Sequence, residues 1–112
     1  MEEEAKKEND MGNPYRIRMI KKRDGRVVEF TKEKITNAIF AAAKSVGGHD
    51  RKQSQELADK VITILEFKYD VGETPTVEEL QDIVETVLIK SGHARTAKAY
   101  ILYRYHHQRS EE

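Results

Sequence analysis

Apolar residues recur every three to four positions in four stretches of the chain, which is the spacing of one face of an α-helix. This pattern predicts helices over residues 32–46, 51–67, 76–92 and 95–107. Gly47–Gly48 follows the first helix as a C-cap, and Asp50 precedes the second as an N-cap. Thr76 opens the third helix in a capping box with Glu79.

Each predicted helix has one apolar face, so we expect the four helices to pack as a bundle around a shared core. The predicted core positions are Ile35, Ala38, Ile39, Ala42, Val46, Leu57, Val61, Ile64, Leu65, Leu80, Ile83, Val84, Val87, Leu88, Ala97, Tyr100, Ile101 and Leu102. Tyr103 and Tyr105 are assigned with Tyr100 to the amphipathic core rather than to base stacking.

Residues 16–30 flank the dipeptide Asp24–Gly25, which is a two-residue turn signal, and they are interpreted as a β-hairpin. A two-residue turn at that dipeptide pairs Arg23 with Arg26, Lys21 with Val28 and Met19 with Phe30. In this register Met19, Val28 and Phe30 face the core, although a one-residue bulge would reverse the faces. The predicted fold class is α+β, mostly α, with a β-hairpin cap on a four-helix bundle.

The chain has 112 residues, which is enough for one small domain. We expect a disordered tail over residues 1–14, a folded domain over 15–107 and a frayed C-terminus over 108–112. The absence of cysteine excludes disulfide frameworks, thiolate metal sites and cysteine nucleophiles. No apolar run approaches the roughly 20 residues that cross a bilayer, and the first residues are too polar for a signal peptide. A cytoplasmic location without membrane contact is therefore expected.

The motifs of nucleotide-hydrolysing, dinucleotide-binding and serine-hydrolase sites are all missing from the sequence. The four histidines lack the i, i+4 spacing of a helical metal site and are expected to be exposed: His49, His93, His106 and His107. The sequence therefore predicts no catalytic residues and no protein-held metal.

The charge distribution is uneven although the chain has zero net charge. Residues 16–34 contain eight Lys or Arg residues and three acidic ones. The predicted register places Arg23 against Arg26, where a bound anion would relieve the repulsion. Thr31 is an N-cap, but Lys32 and Lys34 follow it in a helical turn that favours acidic residues. Free N–H groups and these lysines would suit a phosphate, and a solvated basic face is the alternative.

Three sequence blocks resemble the ATP-cone family, in the same order and spacing. They are IKKRDGRVVEFTKEKI from Ile20, PTVEELQDIV from Pro75 and AYILYR from Ala99, and the resemblance covers about residues 16–106. The resemblance implies a small regulatory domain, a hairpin on a helical bundle, that binds ATP or dATP. Such domains usually lie at the N-terminus of ribonucleotide reductases, and they also occur in a zinc-ribbon repressor of reductase genes. The last block is most similar to cones of anaerobic reductases.

The resemblance also assigns phosphate contacts to individual residues. Lys22 and Arg23 match the phosphate-binding pair of the family, and Lys34 matches the lysine at the helix start that faces the triphosphate. Arg104 is a candidate for a distal phosphate. Arg26 joins these cations as a further candidate from the basic cluster.

Contacts with the base and the sugar are implied in the same way. Ile20 matches the apolar residue that lines the adenine pocket, and Phe30 is expected in the core or the pocket wall. Thr31 occupies a position that contacts the nucleotide. Gln81 falls near a position that contacts phosphate or sugar.

The resulting hypothesis is a non-enzymatic allosteric sensor that binds ATP or dATP, with Mg²⁺ held only through the phosphates. Its expected protein partners are a second copy of the chain or a reductase catalytic subunit. The alternatives are a small helical nucleic-acid-binding domain or a nucleotide-responsive module of a transcription regulator. Zero net charge disfavours nucleic acid, because such modules usually carry a basic excess.

Overall fold

The computed structural model describes residues 15–111, with side chains through residue 106. The chain forms a two-stranded antiparallel hairpin followed by four helices. The elements are β1 (Met19–Lys21), β2 (Val27–Glu29), α1 (Lys32–Ser45), α2 (Arg51–Lys68), α3 (Val77–Lys90) and α4 (Ala94–Glu111). This arrangement confirms the predicted fold class. The predicted tail over residues 1–14 lies outside the described residues.

The cap residues place the helix ends close to the predicted positions. The Asp50 side chain accepts the Gln53 N–H at 3.0 Å, and Thr76 and Glu79 form the complete capping box. Gly47 follows α1 with φ of 97°, a backbone conformation that suits glycine. The last helix, α4, extends to Glu111, four residues beyond its predicted end, and the predicted fraying over 108–112 stays a prediction.

The hairpin register differs from the predicted one by a single residue. Lys22 N–H donates to the Arg26 carbonyl at 2.7 Å, and Gly25 N–H donates to the Lys22 carbonyl at 2.9 Å. Gly25 has φ of 93°, so Arg23, Asp24 and Gly25 form a three-residue loop with a bulge instead of a two-residue turn. The observed pairs are Met19 with Glu29, Ile20 with Val28 and Lys21 with Val27.

This shift corrects two predictions. Ile20 is 5% exposed and enters the core, whereas Met19, predicted to face inward, is 40% exposed. Arg23 and Arg26 are not opposed, because Arg23 lies in the loop and Arg26 is bonded to Lys22 through the main chain. In addition, Arg26 Nε donates to Asp24 Oδ2 at 2.8 Å. The predicted repulsion between these arginines is therefore absent, and hydrogen bonds from the Arg26 backbone and side chain lower the pKa of Asp24.

The hairpin is joined to the bundle through main-chain atoms. Lys21 N–H donates to the Pro75 carbonyl at 2.9 Å, and Lys21 forms an isolated parallel bridge with Thr76. These contacts of Lys21 fix the hairpin beside the start of α3. Within the hairpin, Phe30 N–H donates to the Arg18 carbonyl at 2.8 Å and extends the pairing of the two segments.

The four helices form a closed bundle in which each packs on the next and α4 returns to α1. Most predicted core residues are buried or packed against the core, and Tyr15, Ile17 and Ala58 join them. The structure corrects the assignment of Ile101 and Leu102, which are exposed, as are Tyr103 and Tyr105. The inward face of α4 is set by Ala97 and Tyr100, three residues apart, so Ile101 and Leu102, which follow Tyr100, turn outward. None of the described helices has the length and apolar character needed to span a membrane.

We expect Glu79 to make the stability of the domain depend on acid pH. Hydrogen bonds from the Tyr69 side chain and from Thr76 lower the pKa of Glu79 below its ordinary value of 4.5. A carboxyl whose pKa is depressed by folding stabilises the fold above its unfolded pKa, and this contribution is lost as pH falls through the folded pKa. Glu79→Gln keeps a side chain that suits the capping box but does not titrate.

Denaturation in urea between about pH 7 and pH 3 measures this effect. Glu79→Gln should be less stable than wild type at neutral pH and should converge with it as pH falls. The exposed Glu56, changed to Gln, is the matched control and should follow wild type throughout. A constant difference between Glu79→Gln and wild type across the whole range would contradict the role of ionisation.

Candidate binding site

A cavity of about 250 Å³ lies between the hairpin and helices α1, α3 and α4. This volume is slightly below the range of roughly 300–1,000 Å³ typical of small-molecule sites, so a larger ligand would extend beyond it. Its apolar wall is formed by Ile20, Val28, Phe30, Ile35, Ala38, Val77, Leu80 and Val84. The remaining lining side chains are Lys22, Arg23, Glu29, Lys34, Gln81, Tyr100 and Tyr103. One cavity thus combines an apolar wall with three cations.

The hairpin and the first turn of α1 supply these three cations. Side chains two residues apart in an extended segment lie on the same face, so Lys22 lines the cavity together with Ile20. Arg23 comes from the hairpin loop, where its guanidinium lies 3.4 Å from a Glu78 carboxylate oxygen. Lys34 Nζ donates to the Glu29 carbonyl at 3.2 Å. Among the described side chains, no carboxylate lies within ion-pair distance of the half-buried Lys22.

The first turn of α1 is less open than the sequence predicts. Lys32 N–H donates to the Tyr15 hydroxyl at 2.9 Å, and Lys34 N–H donates to the Thr31 carbonyl at 3.1 Å. The Thr31 side chain makes no capping hydrogen bond. Lys32 Nζ bonds to Asp59 Oδ1 of α2 at 2.6 Å, away from the cavity. The expectation of free N–H groups in this turn is therefore corrected, because the N–H groups of Lys32 and Lys34 already have partners. The turn contributes the Lys34 side chain to the cavity.

Six of the nine predicted site residues line the cavity: Ile20, Lys22, Arg23, Phe30, Lys34 and Gln81. The other three lie elsewhere, and their binding roles stay predictions. Arg26 is paired with Asp24 at the hairpin loop, and Thr31 is half-buried at the start of α1. Arg104 bonds to Asp82 at 2.8 Å and Glu85 at 2.6 Å, so an anion would compete with two carboxylates for it.

Several residues of the cavity wall were not predicted from the sequence. Tyr100 and Tyr103 are three positions apart on α4, and their ring centroids lie 6.4 Å apart. Tyr100 is buried, which raises the pKa of its hydroxyl, whereas Tyr103 is half exposed. The i, i+3 spacing could have placed both rings on one face. Glu29 was missed because its position depends on the hairpin register.

The arrangement suits a ligand that has a flat apolar part and a polyanionic part. The apolar wall removes the first part from water, while Lys22, Arg23 and Lys34 offer charge-assisted hydrogen bonds to the second. Within the described part of the chain, no group of three His, Cys, Asp or Glu residues could hold a metal ion.

Comparison with known proteins gives a family and a set of relatives. The model of the ATP cone domain family matches residues 18–109. A vitamin B12-dependent ribonucleoside-diphosphate reductase of Thermoplasma acidophilum is 50% identical over 93 residues, covering 79% of this chain and 12% of the reductase. An anaerobic ribonucleoside-triphosphate reductase of Salmonella typhimurium is 34% identical over 86 residues, covering 77% of this chain and 12% of the reductase.

A third relative is a ribonucleoside-diphosphate reductase subunit alpha of Chlamydia pneumoniae, 35% identical over 101 residues. That match covers 85% of this chain and 10% of the subunit. The chain therefore spans about a tenth of the length of these relatives, which carry the names of three different kinds of reductase.

Proposed function

The chain belongs to the ATP cone domain family, and we propose that it binds ATP or dATP as the allosteric sensor of a ribonucleotide reductase. ATP cone domains bind these nucleotides as effectors, and the matched segment is only about 12% of the reductases. The matched residues, 18–109, correspond to this regulatory domain. The proposal includes a cytoplasmic location for this regulatory domain.

The observation that carries the proposal is the cavity with Lys22, Arg23 and Lys34 beside an apolar wall. Adenine enters the apolar part, and the triphosphate extends to the three cations. Each charge-assisted hydrogen bond contributes about 1.5–3 kcal/mol before the entropy and desolvation of binding are subtracted. Mg²⁺ travels with the phosphates and neutralises the charge that the cations leave uncompensated.

Regulation requires that the nucleotide has different affinities for two arrangements of the domain and its partner. The candidate partners are a reductase catalytic part, which fits the names of the relatives, and a second copy of the cone. A role in a nucleotide-responsive transcription regulator would use the same cavity with a different partner. Binding of nucleic acid is disfavoured, because the chain has zero net charge, whereas nucleic-acid-binding modules usually carry a basic excess.

Titration calorimetry with ATP, dATP, GTP and AMP tests the proposal. We expect ATP or dATP to bind most tightly, GTP to bind weakly because of its base, and AMP to bind weakly because it lacks the outer phosphates. At 100 times its dissociation constant, the nucleotide should stabilise the domain by about 2.7 kcal/mol in thermal unfolding. No phosphate should be released.

An oligonucleotide measured at two salt concentrations separates this function from nucleic-acid binding. Contacts with a nucleic-acid backbone weaken steeply with salt. Stabilisation by the oligonucleotide at low salt, together with no response to any mononucleotide, would overturn the proposed function.

A further inference from the structure

Helix α4 has a second apolar face, which the bundle leaves uncovered. Ile101, Leu102 and Tyr105 are 41%, 52% and 54% exposed. Together with Lys98, these residues have the i, i+3, i+4, i+7 spacing of one helix face, here called the outer stripe. Single exposed apolar residues are ordinary, but a contiguous group of them on a small domain marks an interaction surface.

The neighbouring helix α3 extends this apolar surface. Arg104 of α4 bonds to Glu85 of α3 at 2.6 Å, and Ile89 lies one turn beyond Glu85 on the same side of α3. Ile101 lies three residues before Arg104 on α4. Because α3 and α4 are joined through residues 91–93 and run antiparallel, both isoleucines are displaced from the ion pair toward that connection. Ile89, which is 56% exposed, therefore lies beside the outer stripe.

Cations without a counter-charge flank the apolar surface. Lys98 is the first residue of the outer stripe, Arg95 lies one turn before it, and Lys90 ends α3. All three are exposed, and no carboxylate among the described side chains lies within ion-pair distance of them. From Ala94 to His106, α4 contains no acidic residue. The surface is thus both apolar and positively charged.

We propose that the outer stripe, with Ile89 beside it, docks an amphipathic helix of a protein partner whose polar flank is acidic. Such a helix carries apolar side chains at the same i, i+3, i+4, i+7 spacing, and it covers the seam between α3 and α4 along its length. Its acidic residues pair with Lys90, Arg95 and Lys98. Complementary charge of this kind sets the orientation of the docked helix and suppresses other partners.

Two other occupants fit the charges less well. A symmetric dimer uses the same surface twice, so a second copy of this chain would bring Arg95 and Lys98 of both copies to one interface. An anionic membrane presents uniform negative charge, and it would repel Asp82, whose 67% exposed side chain lies two turns from Ile89 on the same side of α3. A helix meets neither obstacle, because its acidic residues can be confined to the end near the α3–α4 connection.

The docking surface is separate from the nucleotide cavity. Tyr100 and Tyr103 line the cavity from α4, whereas Ile101, Leu102 and Tyr105 do not. Docking can therefore be measured without nucleotide, and its failure would leave the proposed nucleotide binding untouched. The reverse also holds, because a protein that binds no nucleotide still presents this surface.

The test selects binders from a displayed library of amphipathic helices about five turns long. The apolar stripe of the library is fixed, and its flanking positions vary among Glu, Lys, Gln and Ser. Selection on the wild-type protein should enrich Glu at the flanks. Lys98→Glu and Leu102→Ser should each weaken the selected peptide by about tenfold or more in fluorescence anisotropy. The matched controls Lys60→Glu and Phe67→Ser, at exposed positions of α2, should bind it like wild type.

All four variants change exposed residues and should melt close to the wild-type temperature. The absence of binders, or binders with basic or uncharged flanks, would overturn the inference. Acidic binders that tolerate both α4 variants would overturn it as well, because they bind elsewhere, for example at the cations of the cavity. Dimerisation in sedimentation equilibrium, or binding to phosphatidylserine vesicles, would assign the surface to another occupant if Leu102→Ser abolishes it, and would likewise overturn the inference.

Discussion

Lys34→Glu is expected to lower the affinity for ATP by about 100-fold or more while the domain remains folded. Lys34 lines the cavity, and its ammonium bonds to the Glu29 carbonyl. The substitution removes a charge-assisted hydrogen bond of about 1.5–3 kcal/mol and adds repulsion between the new carboxylate and the triphosphate. A loss of about 2.8 kcal/mol corresponds to 100-fold in affinity. Titration calorimetry measures the loss directly.

The same substitution should not destabilise the free protein. Lys34 is the third residue of α1, where a carboxylate interacts favourably with the helix dipole by about 0.3–1 kcal/mol. Lys52→Glu is the matched control, because Lys52 is the exposed second residue of α2 and lies outside the cavity. It should gain similar helix stability and bind ATP like wild type. Binding of ATP by Lys34→Glu at nearly the wild-type affinity would show that the triphosphate lies elsewhere.

Leu88→Ala is expected to lower the free energy of unfolding by about 2–5 kcal/mol. Leu88 is 0% exposed in the bundle core, so truncation removes buried methyl groups and leaves a cavity that its neighbours fill only in part. Its neighbour Ile89 is 56% exposed, and Ile89→Ala should change stability by about 0.5 kcal/mol or less. This pair of variants tests the orientation of α3.

Denaturation in urea measures the change in the free energy of unfolding for both variants, from the shift of the urea midpoint at an unchanged m-value. At temperatures well below melting, neither variant should change the affinity for ATP, because neither residue lines the cavity. Equal losses of stability at the two positions would contradict the observed face of α3. Such a result would also remove the basis for placing Gln81 at the cavity.

The helices could be predicted from the sequence because their signals are local. The apolar spacing defines each helix, and side chains within one turn of its start fix the boundary, as Asp50 and the Thr76–Glu79 capping box do. These interactions form between neighbours in the chain. They are therefore independent of how the helices later pack.

The hairpin register could not be predicted in the same way. Asp24–Gly25 suits a two-residue turn, and Gly25 equally suits the bulge of a three-residue loop. The two choices differ by one residue, which exchanges Ile20 and Met19 between core and surface. Packing of Ile20 on the bundle and the bond from Lys21 to Pro75 accompany the observed choice, and both involve residues distant in sequence.

The site was predictable in composition but not in geometry. The excess of cations is visible in the sequence, but residues two apart on a helix point in different directions, so Lys34 reaches the cavity while Lys32 turns to α2. Arg104 contacts two carboxylates on α3 that its own helix does not reveal. That Gln81 Oε1 is buried without a hydrogen-bond partner in the described part of the chain likewise becomes visible only when its surroundings are known.

The hydrogen bond from Lys21 N–H to the Pro75 carbonyl has a consequence for the evolution of this domain. Both atoms belong to the main chain, so every residue except proline at position 21 supplies the same donor. Surface side chains there can drift without detaching the hairpin. The bond holds two walls of the cavity together, one from the hairpin and one from α3, whichever side chain occupies position 21. Substitutions of the lining residues can therefore change ligand preference while this main-chain bond between the hairpin and the start of α3 is kept.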